Sequence, residues 1–258
     1  VVYARNNSNA DNDLFLIDVT EETLELVAIT PHEGNVEYSA MGFTPDSQTF
    51  IYSTNEFGEF DQAWTLSLET GERAPLITED WDVMYVGYSP SGRYRVSGVN
   101  NDASTDVSLI DLQTGDAVVL NNVPAGDLAQ VRFNRDETAI AFGLNRDTAP
   151  YDLYYMPLGS EATRLTSALN PAINSEFMVE GEVARFASYD GLNIPGILYQ
   201  PREASSENPA PALVWVHGGP GGQSRKGYSA AIQHLVNHGY AVYQINNRGS
   251  SGYGKTFY

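Results

Sequence analysis

A repeat of about 45 residues in the first two-thirds of the chain constrains its fold more than any other feature of the sequence. Three segments align without gaps: MGFTPDSQTFIYST, VGYSPSGRYRVSGV and VRFNRDETAIAFGL. The alignment makes Phe43, Tyr88 and Phe133 equivalent, each 45 residues from the next. A second set of equivalent positions is formed by glycines spaced by 44 residues: Gly71, Gly115 and Gly159.

Each repeat predicts several short strands. Runs rich in Val, Ile, Phe and Tyr are separated by turn sequences such as PDS, PSG and TG. Four short strands in a repeat of about 40–45 residues are typical of a β-propeller blade. The segment LFLIDVTEETLELVAIT resembles the tail of an earlier repeat, so residues 1–168 predict about four blades. Propellers close with roughly 4–8 blades, so we expect an N-terminally incomplete propeller.

The pattern changes after Ala168. Residues 169–182 predict a linker, and the segment after them predicts a hairpin around the turn dipeptide Asp190-Gly191. Pro195 in the second run of this hairpin favours an edge strand, where a missing N–H does no harm.

Residues 212–245 predict a strand, a helix and a second strand. The run ALVWVH predicts a strand buried on both faces of a mostly parallel sheet. In KGYSAAIQHLVNHG the apolar residues recur at helical spacing, with Ser229 as N-cap and Gly239 as the glycine after the helix. YAVYQI then predicts another buried strand. The order strand, glycine turn, helix, strand is that of an α/β domain.

Charge and cysteine content exclude several functions. The formal net charge is −19, and the first 170 residues hold 27 of the 33 acidic and 8 of the 14 basic residues. Such a surface repels phosphate backbones, so we expect no nucleic-acid partner. The absence of cysteine excludes disulfides, thiolate nucleophiles and Cys-ligated zinc. No apolar run approaches the roughly 20 residues that cross a bilayer, so we expect no membrane partner.

The order of these parts resembles the prolyl oligopeptidase family of serine peptidases, with the acylaminoacyl-peptidase-like branch as the nearest. A propeller, a linker, DGLNIPG in a hairpin, a strand ending in HGGPGG, and NNRGSSGYGKTF follow one another along nearly the whole chain. The most specific part is HGGPGG with NNRGSSGYG, 29 residues apart between His217 and Asn246. The resemblance implies that residues 183–258 are the start of a C-terminally incomplete α/β-hydrolase domain. It also implies short peptide substrates and no cofactor.

The glycine turn is the candidate catalytic element. By the resemblance, Gly219 supplies one backbone N–H of the oxyanion hole and Gly218 shapes the turn. The alternative, a tight turn between strand and helix without a catalytic role, stays open.

The nucleophile that such an enzyme needs is not found in the sequence. The elbow motif G-x-S-x-G is absent, because Ser250 and Ser251 in RGSSGYG lack the required flanking glycines. In this fold the serine follows the oxyanion turn, and the acid and the histidine follow the serine. We therefore expect the whole Ser-Asp-His triad beyond Tyr258, and the chain alone to be inactive.

The remaining candidate side chains favour structural roles. His217 precedes any nucleophile in the chain, so it is interpreted as a support and not as the general base. His234 and His238 have a helical i, i+4 spacing that suits zinc, but no carboxylate accompanies them, so no metal site is predicted. His32 is interpreted as a surface residue. Arg248 binds a substrate carboxylate or anchors its own loop, and anchoring is the preferred interpretation.

The resulting hypothesis is part of a serine peptidase that hydrolyses short peptides, with the propeller restricting access. One alternative is a non-catalytic propeller that binds peptides or proteins, which residues 183–258 disfavour. Another is an esterase of the same fold. Homo-oligomer formation and substrate side-chain specificity stay open. The first residues show no secretory signal, but the location stays unknown, with the cytoplasm slightly favoured over the periplasm.

Overall fold

Four successive β-sheets follow the repeat of the sequence. The computed structural model describes residues 1–219 and 221–258. The first sheet has three strands in sequence order: β1 (Val2–Ser8), β2 (Asp11–Ile17) and β3 (Leu26–Ala28). The second has four: β4 (Tyr38–Phe43), β5 (Thr49–Thr54), β6 (Gln62–Ser67) and β7 (Arg73–Ile77). The third contains β8 (Val83–Tyr88), β9 (Tyr94–Asn101) and β10 (Ser104–Asp111). The fourth contains β11 (Asp127–Phe133), β12 (Ala139–Arg146), β13 (Ala149–Pro157) and β14 (Thr163–Arg164).

The repeat anchors occupy equivalent places in these sheets. Phe43, Tyr88 and Phe133 are each the last residue of their strand. The three repeat glycines all have left-handed φ values, between +72° and +81°, in a turn that follows a strand. Such a φ suits glycine because an L side chain is strained there. The propeller-type sheets predicted from the period are confirmed, although the third has three strands and only an isolated bridge, Ile110 to Ala117, beyond them.

A fifth sheet has mixed topology and contains the one α-helix of the described residues. Its strands are β15 (Glu182–Ala187), β16 (Asn193–Tyr199), β17 (Ala212–Val216) and β18 (Ala241–Ile245), in the order β15-β16-β18-β17. The helix α1 (Ala230–Asn237) lies between β17 and β18 in the chain, and these two strands pair in parallel. A short 3₁₀ turn at Ser175–Phe177 precedes the sheet.

The chain divides into two compact units. The first comprises residues 1–99, 108–117 and 254–256, and its core includes Leu14, Tyr38, Phe50, Tyr52 and Leu66. The second comprises residues 100–107, 118–253 and 257–258. A core cluster of this unit joins the fifth sheet to α1 through Val179, Ile197, Tyr199, Ile232, Val236 and Val242. The boundaries 1–168, 169–182 and 183–258 stay a prediction.

The helix forms as its sequence predicts. The Ser229 side chain accepts a hydrogen bond from the N–H of Ile232, and Gly239 has φ +89° directly after the C-cap. Ile232 and Val236 are 2% exposed, so the apolar face is buried. The hairpin prediction is also confirmed, since β15 and β16 pair antiparallel on either side of Asp190-Gly191.

Two expectations about strand position are wrong. β16 lies inside the sheet, between β15 and β18, although it contains Pro195. The Pro195 carbonyl accepts the N–H of Asn246, the residue after the end of β18, so the missing proline N–H faces the point where β18 has stopped. β17 is the last strand of the sheet, and Val214 and Val216 are 64% and 62% exposed instead of buried. An apolar run shows that a strand can be buried. It does not show which part of the chain covers that strand.

No helix in the described part of the chain has the length and apolar character needed to cross a bilayer.

Candidate active site at the glycine turn

The glycine turn begins directly after β17. Gly218 and Gly219 are exposed, and Gly219 has φ +133°. A Cβ atom on Gly219 would lie 2.8 Å from the nitrogen of Gly222, closer than real Cβ contacts, whereas a Cβ on Gly218 would have no atom within 4 Å. Both the backbone conformation and the space therefore require glycine at position 219 and not at position 218.

Two backbone N–H groups of this turn are unengaged. Those of Gly218 and Gly219 donate no hydrogen bond to any residue that the structure describes. Successive free N–H groups in a glycine turn form a concave site that attracts negative charge. The role of these two N–H groups in binding an anionic oxygen stays a prediction.

His217 joins the turn to the loop that follows β18. Its Nδ1 lies 3.0 Å from the carbonyl oxygen of Gly218, and its Nε2 lies 2.8 Å from Oγ of Ser250. The Ser250 hydroxyl donates to the carbonyl of Asn247 at 2.6 Å, and Ser250 is fully buried. A buried hydroxyl held by two partners is unsuited to attack a substrate, so this pair acts as a support.

Asn246 makes a second connection between the same two segments. This fully buried residue accepts the N–H of Ser224 at 2.6 Å and donates to the carbonyl of Ser224 at 3.0 Å. Its amide also lies 2.9 Å from the hydroxyl of Tyr253. The N–H of Ser251 donates to the carbonyl of Gly222 at 3.1 Å. The loop after β18 thus holds both ends of the glycine turn.

Arg225 fixes the chain that leaves the turn. Its guanidinium donates to the side chains of Asn100, Gln223 (3.2 Å), Thr105 (2.8 Å) and Asp127 (3.2 Å). The Asn100 amide also donates to Gln223 at 2.9 Å. Several charge-assisted hydrogen bonds from one guanidinium resist displacement of this segment.

Asp147 holds the start of α1. Its carboxylate accepts the N–H groups of Gly181 (3.0 Å) and Gly227 (2.8 Å) and the hydroxyl of Tyr199 (2.7 Å). Its carbonyl accepts the side chain of Gln233 on the helix at 2.9 Å. Burial, together with the Asp147 charge, raises the pKa of the Tyr199 hydroxyl, so this phenol stays a donor.

Curated proteins similar to this chain are peptidases by name. The chain is 34% identical to the uncharacterized peptidase YuxL of Bacillus subtilis over 122 residues, 47% of this chain and 19% of that protein. It is 27% identical to dipeptidyl aminopeptidase BIII of Pseudoxanthomonas mexicana over 237 residues, 88% of this chain and 34% of that protein. The matches span about a fifth to a third of these relatives' length. No protein-family model matches the chain.

Solved structures of peptidases share its fold. A structure from a study of two prolyl endopeptidases superposes with a TM-score of 0.78 at 18% identity, covering 96% of this chain and 36% of that one. A puromycin-hydrolyzing peptidase of Mycobacterium tuberculosis gives 0.77 at 16% identity, with 96% and 38% covered. Together with the sequence relatives that are named as peptidases, these matches confirm the resemblance to the prolyl oligopeptidase family.

Arg248 makes a contact that anchors its own loop. Its guanidinium forms an ion pair with Asp190 in the turn of the β15–β16 hairpin and lies over the ring of Tyr189, 5.4 Å from the centroid. The hydrogen bond from the Leu192 N–H, and then Arg248, holds the pKa of Asp190 below its ordinary value. Contact of Arg248 with a substrate carboxylate stays a prediction.

The other histidines contact residues outside the glycine turn. His238 Nδ1 lies 2.8 Å from the carbonyl oxygen of His234, and no group of three or more metal-binding side chains occurs among the described residues. The interpretation of His32 as a surface residue is wrong. Its side chain is 6% exposed and contacts Asp11 at 2.8 Å and the carbonyl of Thr30 at 2.9 Å, because a nearby acid and a carbonyl satisfy both ring nitrogens.

Sequence reasoning missed the roles of Asn246 and Asp147. Asn246 begins the motif NNRGSSGYG, but a motif does not say which polar atoms its side chain will meet. Asp147 lies in a repeat and contacts residues 34–86 positions away, a separation that no local pattern reveals.

Proposed function

We propose that the chain forms part of a serine peptidase that hydrolyses short peptides, in which Gly219 donates one backbone N–H to the oxyanion of the tetrahedral intermediate. The observation that carries this proposal is the exposed glycine turn with unengaged N–H groups at the end of a sheet strand. The peptidase names of the relatives support peptides as the substrate class.

The chemistry assigned to the turn is electrostatic. Attack on a peptide carbonyl places negative charge on its oxygen, and an N–H already aimed at that oxygen stabilises the charge without reorganisation. The supports from His217 and Asn246 suit this role, because a fixed turn keeps its donors in place during the reaction. A Cβ atom on Gly218 would have no atom within 4 Å, so the proposed role of Gly218 is limited to the shape of the turn.

The other parts of the catalytic machinery are proposed to lie outside this sequence. In α/β-hydrolases the second oxyanion donor is the N–H after the nucleophile, and no G-x-S-x-G elbow occurs in these 258 residues. The serine would attack the peptide carbon, the histidine would take its proton and return it to the leaving amine, and water would hydrolyse the resulting ester. The propeller-type sheets would restrict which substrates reach the site.

A labelling experiment tests the proposal. A longer protein that contains this sequence is expected to react with a fluorophosphonate probe at one serine and to release p-nitroaniline from short peptide anilides. The 258-residue chain alone is expected to show neither reaction. Labelling of a serine in the 258-residue chain would place the nucleophile within it and refute that part of the proposal.

The same assay separates the alternatives. Hydrolysis of esters without hydrolysis of peptides in the longer protein would indicate an esterase of the same fold. Saturable peptide binding with no labelling and no hydrolysis would indicate a binding propeller. Either outcome rejects the proposed peptidase.

A further inference from the structure

The turn of the β9–β10 hairpin is anchored in the second compact unit. Residues 100–107, which include this turn, belong to that unit. Ala103 in the turn is fully buried, in the cluster that joins the fifth sheet to α1. The carboxylate of Asp102 forms an ion pair with Arg185 of β15 at 2.6 Å. Residues 100–105, called the hairpin tip below, are therefore fixed within their unit by both apolar and charged contacts.

The hairpin tip has a strained backbone. Asp102 and Ala103 have φ values of +50° and +69°, in the left-handed region that two-residue hairpin turns use and that glycine usually supplies. Neither residue is glycine, so the turn costs conformational energy. Strained turns persist only where surrounding contacts hold them, and they occur most often at functional sites. The contacts of the hairpin tip within its unit therefore outweigh this strain.

Asn100 in the hairpin tip holds the chain directly after the glycine turn. This residue is 4% exposed. Its Nδ2 donates to Oε1 of Gln223 at 2.9 Å, and its Oδ1 accepts a hydrogen bond from the guanidinium of Arg225. Both polar atoms of a buried amide thus bind residues more than 120 positions away in the sequence. Water is not positioned to replace these two bonds, because the amide is buried.

Two further contacts from the hairpin tip hold the same segment. The hydroxyl of Thr105 accepts a hydrogen bond from Arg225 at 2.8 Å. The carbonyl of Ala103 accepts the N–H of Lys226 at 2.9 Å. Three of the four residues 223–226 therefore contact the hairpin tip, and the loop after β18 holds the remaining one.

This segment continues directly from the backbone that packs on the proposed oxyanion donor. Gly222 precedes Gln223, and it lies close to both other glycines of the turn. A Cβ atom on Gly219 would lie 2.8 Å from the nitrogen of Gly222, and a Cβ atom on Gly222 would lie 2.7 Å from the carbonyl oxygen of Gly218. Because so little space separates these backbones, a displacement of the chain at Gln223 is transmitted to Gly219.

We propose that Asn100 is a positioning residue for the glycine turn, acting through Gln223 and Gly222 to hold the N–H of Gly219 in place. The effect on catalysis rests on the proposed function, because only an oxyanion donor makes the position of this N–H matter for kcat. A displacement of about 1 Å, caused far from the reacting atoms, can lower a rate by about 10². Asn100 itself contacts neither the turn nor the reacting atoms.

Amide ¹H–¹⁵N spectra of the 258-residue chain test the structural part of the proposal. Asn100→Ala is expected to shift the amide signals of the turn: Gly218, Gly219 and Gly222. Asn101→Ala is the matched control, because this neighbouring asparagine is exposed and donates only to Asp106, at 2.7 Å. It should leave the three glycine signals unchanged.

A second variant keeps the test decisive if Asn100→Ala does not fold. Thr105→Val removes the hydroxyl that accepts from Arg225 but keeps the size of the side chain. It should shift the same glycine signals, by a smaller amount, because the Asn100 contacts remain.

Steady-state kinetics of the longer protein test the catalytic part. Asn100→Ala is expected to lower kcat by about tenfold or more with little change in KM, since a misplaced donor weakens mainly the binding of the transition state. Gln233→Ala is the control for lost stability. Gln233 is 3% exposed, and its side-chain amide bonds only to Val179 and Asp147, outside the glycine turn and residues 223–226. It should lower the melting temperature by a similar amount and leave kcat nearly unchanged.

Two results would overturn the proposal. The first is that the glycine signals stay in place in Asn100→Ala, or in Thr105→Val where only that variant folds. The second is an equal fall of kcat in Gln233→Ala and Asn100→Ala, which would reduce the effect to lost stability. If the longer protein hydrolyses no peptide even without substitutions, the proposed function fails instead, and the spectra of the chain still decide whether Asn100 positions the turn.

Discussion

At the scale of single residues, neighbouring glycines in one turn have different reasons to be glycine. Gly219 combines φ +133° with a position where an added Cβ would lie 2.8 Å from the nitrogen of Gly222. Gly218 has neither constraint. Alanine substitutions at these two positions therefore distinguish an oxyanion donor from a simple turn. At Gly219 the substitution displaces the proposed N–H donor, whereas at Gly218 it leaves that donor in place.

Gly219→Ala in the longer protein is expected to lower kcat by about 10²–10³, the usual loss for one oxyanion donor. The added methyl group displaces the backbone N–H, whereas KM should change little because the contact forms mainly in the transition state. Steady-state kinetics measures both values. Gly218→Ala is the control and should keep most of the activity. A folded Gly219→Ala enzyme with normal kcat would show that the glycines only form the turn.

Asp61 in the first compact unit provides a second prediction at this scale. Burial, followed by the negative charges of Asp82 and Glu37, raises the pKa of its carboxyl to about 7. One of its carboxylate oxygens is buried without a hydrogen bond among the described residues. Because the folded-state pKa exceeds the ordinary value near 4, the free energy of unfolding falls as the pH rises from about 4 to about 7.

Asp61→Asn is expected to remove this loss. The variant should be more stable than the parent at pH 8, by roughly 1–3 kcal/mol, with little difference at about pH 4. Thermal unfolding at both pH values measures the effect. Asp46→Asn is the matched control, since the hydrogen bond from Thr44 holds the pKa of Asp46 below its ordinary value. It should destabilise the chain at pH 8. Equal melting temperatures for the parent and Asp61→Asn at pH 8 would mean that Asp61 carries no electrostatic cost.

At the scale of elements, two loops stabilise each other across the parallel pair β17 and β18. The asparagine at the end of β18 satisfies the N–H and the carbonyl of Ser224, and it also contacts the Tyr253 hydroxyl. Since Asn246 is fully buried, water is not positioned to replace these bonds. The order of the glycine turn therefore depends on a residue far from it in sequence.

Asn246→Ala is expected to lower the free energy of unfolding by about 1–3 kcal/mol, because it leaves buried partners unsatisfied. Chemical denaturation measures the change. Asn247→Ala is the control, since its side-chain hydrogen bond to the Arg248 carbonyl is exposed and its own carbonyl, which accepts Ser250, is kept. In the longer protein, Asn246→Ala should also lower kcat more than Asn247→Ala does. Equal effects of the two substitutions would contradict the bracing role.

The elements that sequence reasoning predicted are those with local signals. Turn glycines and strand-forming runs recur at a fixed period in the repeats, and the cap and apolar face of α1 are contained within one short segment. The positions of β16 and β17 in their sheet were predicted wrongly, because burial and neighbours depend on strand order, which a single run does not contain. The same holds for the candidate site. The motif HGGPGG predicts the turn, but the contacts that hold the turn in place join residues distant in the sequence, which no local pattern predicts.

At the scale of the whole molecule, the dominant property is unbalanced acidity. The ion pairs within the described residues engage eight of the 33 acidic residues. A net charge of −19 therefore leaves many carboxylates facing like charges, which opposes compaction. The distance over which these charges repel one another is set by the Debye length, which is about 30 Å at 0.01 M salt and about 10 Å at 0.1 M salt.

Added salt is accordingly expected to stabilise the chain. The melting temperature should rise by a few degrees between about 0.01 M and 0.1 M sodium chloride, since screening removes repulsion in the folded state more than in the expanded one. A variant with Glu21→Gln, Glu22→Gln and Glu25→Gln tests the cause, because these exposed residues between β2 and β3 form no ion pair in the described structure. It should melt higher than the parent at low salt and gain less from added salt. A melting temperature of the parent that does not change with salt would show that its ion pairs already balance the repulsion.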